Sequence, residues 1–317
     1  MAIEARGRYV RRFGPSLANR LVVNAELAGR TTRKFSGALK MLMDLKPLKQ
    51  LGQSVTGLSA ERDFPAFESR SLYERVGSTE GRGEPRVLYF AGCYASYLKP
   101  QIGQAAVGVL KRMGMTVLTP PQHCCGLPML SKGMVKEATA KVRQNLEKWQ
   151  AMIDTVDHIV VTCSSCGFSL MEEWQSLIDD DITASVKKKI IHISTLLNNY
   201  FDRLELGACD LNVAYHAPCH LKIQNDPNSS VQLLARIKGV AVQDLKSHCC
   251  GMAGSWGLTA EHYDLSKQIG SDMIARLNGS AASVGVTDCP TCRMQMEHFS
   301  DKEIRHPVEI VYGCLRK

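Results

Sequence analysis

One pattern of cysteines occurs twice and constrains this chain more than any other feature. The first copy is Cys93, then Cys124-Cys125-Gly126, then Cys163-Ser164-Ser165-Cys166. The second is Cys219, then Cys249-Cys250-Gly251, then Cys289-Pro290-Thr291-Cys292. Matching cysteines sit 126, 125, 125, 126 and 126 residues apart, and ten of the twelve cysteines fall in these copies. A repeat of that length implies two similar structural units, each bringing the same thiols to one place.

The residues between the cysteines say what those units are. Val87-Leu88-Tyr89-Phe90, Met115-Thr116-Val117-Leu118 and His158-Ile159-Val160-Val161 are short apolar runs of strand type, and each leads into a cysteine group. Helical patterns fit between them at about 100–113, 131–155 and 168–178, with a further strand at Ile190-Ile191-His192 and a helix at about 194–204. Gly114 closes the first helix, and Gly239 is its counterpart. The second half repeats the order, with strands at 212–215, 240–242 and 283–286 and helices at about 230–238, 260–278 and 291–300. Strand-helix alternation predicts an α/β fold with parallel sheets, in two similar domains related by a pseudo-twofold axis, plus an N-terminal helical segment. The expected division is residues 1–84 for a basic amphipathic helical segment and linker, 85–207 for the first cysteine domain and 208–317 for the second. Sites in open parallel sheets form beyond the carboxyl ends of the strands, where every cysteine group falls.

Charge marks off the N-terminal segment. Residues 1–50 hold eleven Lys and Arg against three acids, whereas the rest of the chain is balanced, so the net charge of +8 is local. Gly14-Pro15-Ser16 reads as a helix start, with Leu17, Leu21, Val22, Ala25 and Ala28 on one side and Gly29 as a stop. Thr31 or Thr32 reads as the cap of a second helix, with Phe35, Ala38, Leu39, Leu42 and Leu45 in register before Pro47. Basic amphipathic helices lie on anionic membranes or dock their apolar side on protein, and both readings stand. Residues 52–84 are polar, and 77–85 reads as a linker. No nucleic-acid motif or aromatic interleaving accompanies the charge, so a nucleic-acid partner is not expected. No apolar run approaches the roughly 18 to 20 residues of a membrane span, and no signal-type run follows the first residues. A cytoplasmic chain is expected, where clustered cysteines hold metal or do redox work more often than they form a disulfide scaffold.

Five thiols per copy exceed the four ligands of a tetrahedral zinc. The CxxC step chelates across a tight turn and also occurs in zinc ribbons and redox thiols. Adjacent thiols suit a bulky multinuclear centre, with Gly126 and Gly251 allowing the turn that aims both. Iron–sulfur clusters are held by thiolates. A cubane cluster takes four and leaves one over, so the fifth implies a modified cluster or a spare reactive thiol.

The pattern resembles the cysteine-rich CCG domain of the heterodisulfide reductase B subunit, shared by iron–sulfur subunits of glycolate oxidase, lactate-utilisation proteins and the C subunit of anaerobic glycerol-3-phosphate dehydrogenase. The resemblance covers about 86–317. It is strongest to the last of these in Leu45-Lys46-Pro47-Leu48-Lys49-Gln50-Leu51, Cys124-Cys125-Gly126-Leu127-Pro128, His216-Ala217-Pro218-Cys219-His220, Cys249-Cys250-Gly251-Met252-Ala253-Gly254 and Thr287-Asp288-Cys289. It implies two [4Fe-4S] clusters, cubane or noncubane, held by Cys93, Cys124, Cys125, Cys163 and Cys166 and by Cys219, Cys249, Cys250, Cys289 and Cys292. It implies an electron-transfer subunit with no catalytic residues of its own, taking electrons from a flavoprotein dehydrogenase of glycerol 3-phosphate or 2-hydroxy acid type. They would pass toward membrane quinone, with residues 1–50 on the anionic cytoplasmic face of the inner membrane. The alternative is a catalytic subunit that reduces a disulfide at a noncubane cluster. Subunits of the glycerol-3-phosphate type begin with a ferredoxin module. No cysteine precedes Cys93 here, which implies a ferredoxin-type carrier on another chain or a shortened product.

Other residues carry two readings each. His123 and His248 precede the CC pairs and either tune the centre or sit on a loop. His216 and His220 bracket Cys219, where cysteines already suffice as ligands. Met252 and Trp256 either shield the second centre or pack. Cys209 and Cys314 fall outside the repeat and read as small apolar residues. No phosphate-binding glycine motif, paired carboxylates or Ser/His/Asp set is evident.

Overall fold

The computed structural model describes residues 2–35, 37, 41 and 45–316. The N-terminal segment is helical: α1 (Ala2–Phe13), α2 (Leu17–Val23), α3 (Ala25–Thr32) and α4 (Lys46–Thr56). Ser16 starts α2 as expected, its hydroxyl accepting the Asn19 N–H at 3.3 Å. The helix then breaks at Asn24 and not at Gly29. Gly29 lies inside α3 because its bare Cα packs on Tyr97, whose ring a Cβ would meet at 2.6 Å. Thr31 and Thr32 end this helix, their hydroxyls bonding back to Leu27 and Ala28 carbonyls. Pro47 sits in the first turn of α4, where its missing N–H costs nothing, so it opens a helix. The expected Ala38, Leu39 and Leu42 lie outside the described residues. The side facing the protein carries Ala18, Val23 and Glu26, whereas Leu17 and Leu21 remain exposed.

The first sheet contains β1 (Thr79–Glu80), β2 (Arg86–Phe90), β3 (Thr116–Leu118), β4 (His158–Val161) and β5 (Ile190–His192), in the order β1-β3-β2-β4-β5. The second contains β6 (Leu211–Tyr215), β7 (Val240–Asp244), β8 (Val284–Val286) and β9 (Glu303–Arg305), in the order β7-β6-β8-β9. Apart from β1, both sheets share one strand order and are parallel throughout. Short β1 runs antiparallel to β3 within the stretch read as a linker. Pairing needs only backbone groups, so polar side chains did not announce it. Val87 to Phe90 and Ile159 to Val161 are fully buried, as parallel strands covered on both faces must be.

Helices pair the halves reciprocally. Further helices are α5 (Pro100–Arg112), α6 (Val135–Trp149), α7 (Ile193–Asn199), α8 (Ser229–Ala235), α9 (Tyr263–Asn278), α10 (Pro290–Phe299) and α11 (Pro307–Gly313). Helix α5 of the first half packs on α11 of the second, and α8 of the second on α7 of the first. Helices α5 and α8 fill the same place in the repeat, as do α7 and α11, so the two contacts are one contact seen twice about a pseudo-twofold axis. Val87, Tyr89, Val213 and Tyr215 share one core across it.

Cys209 and Cys314 are not lone apolar residues: they form a disulfide across 105 residues, with Cα atoms 5.8 Å apart. Pairing of Leu206 with Leu315 and the bond from Gly207 N–H to the Cys314 carbonyl bring these distant segments together. Spacing along the chain carries no trace of that approach.

Candidate metal centre

The strand order places the cysteine loops side by side. In the first half, Cys93 follows central β2, the CC pair follows β3 on one side, and Cys163 follows β4 on the other. The second half repeats this with β6, β7 and β8. Gly126 and Gly251 have φ of +84° and +83°, the left-handed turn expected after each CC pair. Cys163 and Cys289 each precede a helix start, and the Cys166 N–H bonds to Cys163 Sγ at 3.4 Å.

All ten predicted cysteines gather into two sets of five. In the first, sulfur contacts run from Cys93 to Cys124, Cys125, Cys166 and Cys163. In the second, they run from Cys219 to Cys249, Cys250, Cys292 and Cys289, with Cys292 Sγ 3.1 Å from Cys250 Sγ. Each run of contacts redistributes protons. Hydrogen bonds from Cys125 and Cys93 drive the Cys124 thiol well down, while the same contacts push Cys93 and Cys125 up. In the second set, bonds from Cys219 and Cys250 drive Cys249 down to about 2, and Cys292 drives Cys289 down to about 5. Cys219, Cys250 and Cys292 are pushed up by the neighbouring thiols. Neighbouring thiols that raise and lower one another in this way ionise together only around a cation, so the donor set fits a thiolate-bound metal centre.

Residues from elsewhere hold the loops. Trp174 Nε1 and Ser169 Oγ both donate to the Cys125 carbonyl, at 2.9 and 3.0 Å. Asn145 accepts the His123 N–H and donates to the Cys124 carbonyl, at 2.8 and 3.3 Å. Buried Glu26, reaching in from α3, accepts the Cys124 N–H at 2.9 Å and pairs with Arg30, Lys141 and His123 at 2.8, 3.0 and 2.8 Å. Burial pushes its carboxyl up, but the Cys124 N–H and Lys141 outweigh that and hold it below the ordinary range. In the second half, Arg62 comes from the polar 52–84 stretch and is buried beneath the CC loop. Spacing gave no sign of Glu26 or Arg62, since neither lies near a cysteine in the chain.

The histidines divide. His123 turns to Glu26 and Lys148, and exposed His248 to Asp272. His220 stacks on Phe168 and bonds Ser165. His216, by contrast, has a ring nitrogen within 4.8 Å of the Cys250 and Cys292 sulfurs. Burial holds it down at about 4, so it is a neutral ring. Met252 is buried in the core, and Trp256 packs against His262 with the rings tilted and their centroids 4.2 Å apart.

Between the centres, buried Asp288 ties the halves together. Its carboxylate accepts from Tyr215 and Ser230 at 2.6 and 2.8 Å, and its carbonyl accepts the Ser164 N–H at 3.2 Å. His306 Nε2 donates across to the Thr162 carbonyl at 2.7 Å. A narrow cleft lined by Tyr94, Cys163, Cys289 and Arg293 runs here. The two sets differ in exposure at their first cysteines and CC pairs: Cys93 is half-buried and Cys124 buried, whereas Cys219 is exposed and Cys249 half-buried; the remaining cysteines of both sets are buried.

Comparison with known proteins agrees with this arrangement. The family described as "Cysteine-rich domain" (CCG) matches residues 87–171 and 213–297. The chain is 28% identical over 309 residues to the C subunit of anaerobic glycerol-3-phosphate dehydrogenase of Escherichia coli K12, covering 95% of this chain and 78% of that one. It is 28% identical over 245 residues to the glycolate oxidase iron-sulfur subunit of the same organism, covering 74% of this chain and 60% of that one. It is 26% identical over 242 residues to the B subunit of fumarate reductase (CoM/CoB) of Methanothermobacter marburgensis, covering 74% of this chain and 45% of that one. The two family matches span more than half of the chain and contain both cysteine sets, and the chain belongs to the cysteine-rich CCG domain family.

Proposed function

We propose that the chain is an iron–sulfur electron-transfer subunit with one [4Fe-4S] cluster per five-cysteine set. Cys93, Cys124, Cys125, Cys163 and Cys166 hold the first, and Cys219, Cys249, Cys250, Cys289 and Cys292 the second. The observation that carries this reading is the pair of unbroken five-sulfur contact runs, each at the carboxyl end of a parallel sheet. Such a cluster stores and passes single electrons. The protein's part is to fix the sulfurs, bury four of the five in the first set and leave the second open at Cys219. Relatives named as subunits of glycerol-3-phosphate dehydrogenase and glycolate oxidase support a flavoprotein dehydrogenase of that type as the electron donor. Quinone at the cytoplasmic face of the inner membrane is the destination, with a ferredoxin-type carrier as a further partner.

Anaerobic purification followed by iron and sulfide analysis tests the core of this. The expected result is a brown protein with about eight iron per chain, halved by Cys124→Ala/Cys125→Ala and halved by Cys249→Ala/Cys250→Ala. A colourless zinc protein would sink the reading. The open second set and the relative named as a CoM/CoB fumarate reductase subunit favour one other reading, reduction of a disulfide by the chain itself. Turnover of a low-molecular-weight disulfide by the isolated reduced protein selects that reading, and no turnover selects electron transfer.

A further inference from the structure

The two centres are built alike in their cysteines and differently in what surrounds them. Aligning the copies by their first cysteines sets Phe90 against His216, each three residues upstream. Phe90 is fully buried among aromatics, its ring 5.5 Å from Trp149 and 6.4 Å from Trp174. His216 is equally buried, but it is polar. Ser247 Oγ engages its Nδ1 at 2.8 Å, while Nε2 has no partner. An orphaned ring nitrogen in a dry core is costly unless something there accepts from it. Since a ring nitrogen lies within 4.8 Å of the Cys250 and Cys292 sulfurs and Nδ1 is occupied, Nε2 is the one left for that sulfur set.

A second difference lies on the other side of the CC loop. In the first copy the Cys125 carbonyl receives neutral donors, the Trp174 indole and the Ser169 hydroxyl. The cations nearby, Arg30 and Lys141, are paired with Glu26. In the second copy the Arg62 guanidinium donates to the Gly257 carbonyl, Gln295 and Ser266 at 3.0, 2.6 and 3.0 Å. All three acceptors are neutral, and among the described residues no carboxylate pairs with it. Its partner Gln295 and the Cys250 carbonyl flank the same Gly270. The guanidinium lies over the Tyr263 and Phe299 rings at 4.8 and 5.7 Å, which stabilise a cation without neutralising it, and its charge is felt at Cys250, so the second site is built to receive negative charge.

We propose that His216 and Arg62 make the second centre the more readily reduced of the two. Nε2–H donates to a sulfur of that centre, and the guanidinium is its counter-charge. Both favour the more negative, reduced form, since hydrogen bonds to sulfur and net charge set such potentials. An electron supplied by the partner flavin therefore settles at the centre that carries exposed Cys219. The inference rests on the reading that each cysteine set holds an iron–sulfur cluster.

Anaerobic redox titration followed by electron paramagnetic resonance tests it. The Cys124→Ala/Cys125→Ala chain shows the second centre alone, and the Cys249→Ala/Cys250→Ala chain the first. The second is expected to have the higher midpoint. His216→Phe, which copies Phe90, and Arg62→Gln should each weaken its one-electron reduction about tenfold, ~59 mV, leaving the first centre in place. Arg62→Lys should retain most of the potential, and Phe90→His should raise the first centre. These two arms keep the test open should the first two variants fold poorly. Equal midpoints in the two centres, or His216→Phe and Arg62→Gln titrating as the parent, would overturn the proposal. Iron analysis precedes the titration, so a chain without iron identifies failure of the underlying reading separately.

Discussion

Gly92 shows how closely single residues fit around the first sulfur set. Its φ is +64°, and a Cβ there would lie 2.9 Å from Cys166 Sγ. Gly92→Ala therefore both strains the backbone and displaces a sulfur. The expected outcome is loss of iron from the first centre only, halving the iron per chain while the second centre keeps its spectrum. Retention of full iron would show that the sulfur gives way freely. The same scale explains what the cysteine pattern left out. Every residue near the sulfurs in the chain was visible to spacing, including His216 beside Cys219. Its role was not, because an imidazole's partner depends on where Cys250 and Cys292 fold to.

At the scale of elements, the helices and strands of 86–317 follow the sequence closely because apolar strands, helix-stopping glycines and cysteine loops agree with one another. The N-terminal segment diverges because side-chain pattern and docked face part company there: Leu17 and Leu21 point outward while Glu26 points in. One contact that fastens this segment is open to a pH test. Glu74 accepts from the Ser71 hydroxyl and N–H at 2.7 and 2.8 Å, capping the turn Leu72–Glu74, and it pairs with Arg33 beyond the end of α3. These bonds hold its carboxyl down at about 2, below the ordinary 4.5. A depressed carboxylate stabilises the fold above its unfolded pKa and loses that contribution as pH falls through the folded value. Glu74→Gln should cost about 0.5 kcal/mol near neutral pH, a small figure because the group is largely solvated. The gap from the parent should shrink below about 4.5 and close near 2. Thermal melts across pH measure it, and a gap independent of pH would exclude the charge.

At the scale of the molecule, exposed apolar side chains concentrate in one region. Tyr9, Phe13, Leu17, Leu21, Leu27 and Phe35 are all exposed, amid the excess of basic residues in 1–50. No described helix is long and apolar enough to cross a membrane. Such a combination suits either an anionic lipid surface or a protein partner. Removing residues 1–50 outright would also remove Glu26 from the first CC loop, so point changes test the surface more cleanly. Leu17→Ser/Leu21→Ser/Phe13→Ser should lower partition onto anionic vesicles several-fold, with iron content unchanged. Unaltered partition would dismiss lipid contact and leave a protein partner as the occupant of this face.

The sequence by itself determined the repeat, the parallel α/β architecture and the ten cysteines, because those are recorded in local spacing and apolar periodicity. Tertiary structure alone decided that the five thiols of each copy touch in one unbroken run, that Cys209 meets Cys314, and that the halves interlock through α5 with α11 and α7 with α8. It also decided that Glu26, Arg62 and His216 make two matching cysteine sets unequal. Charge and hydrogen bonding act through space, and the residues that differ between the centres come from far along the chain, as Arg62 does to Gly257 and Gln295, 195 and 233 residues away.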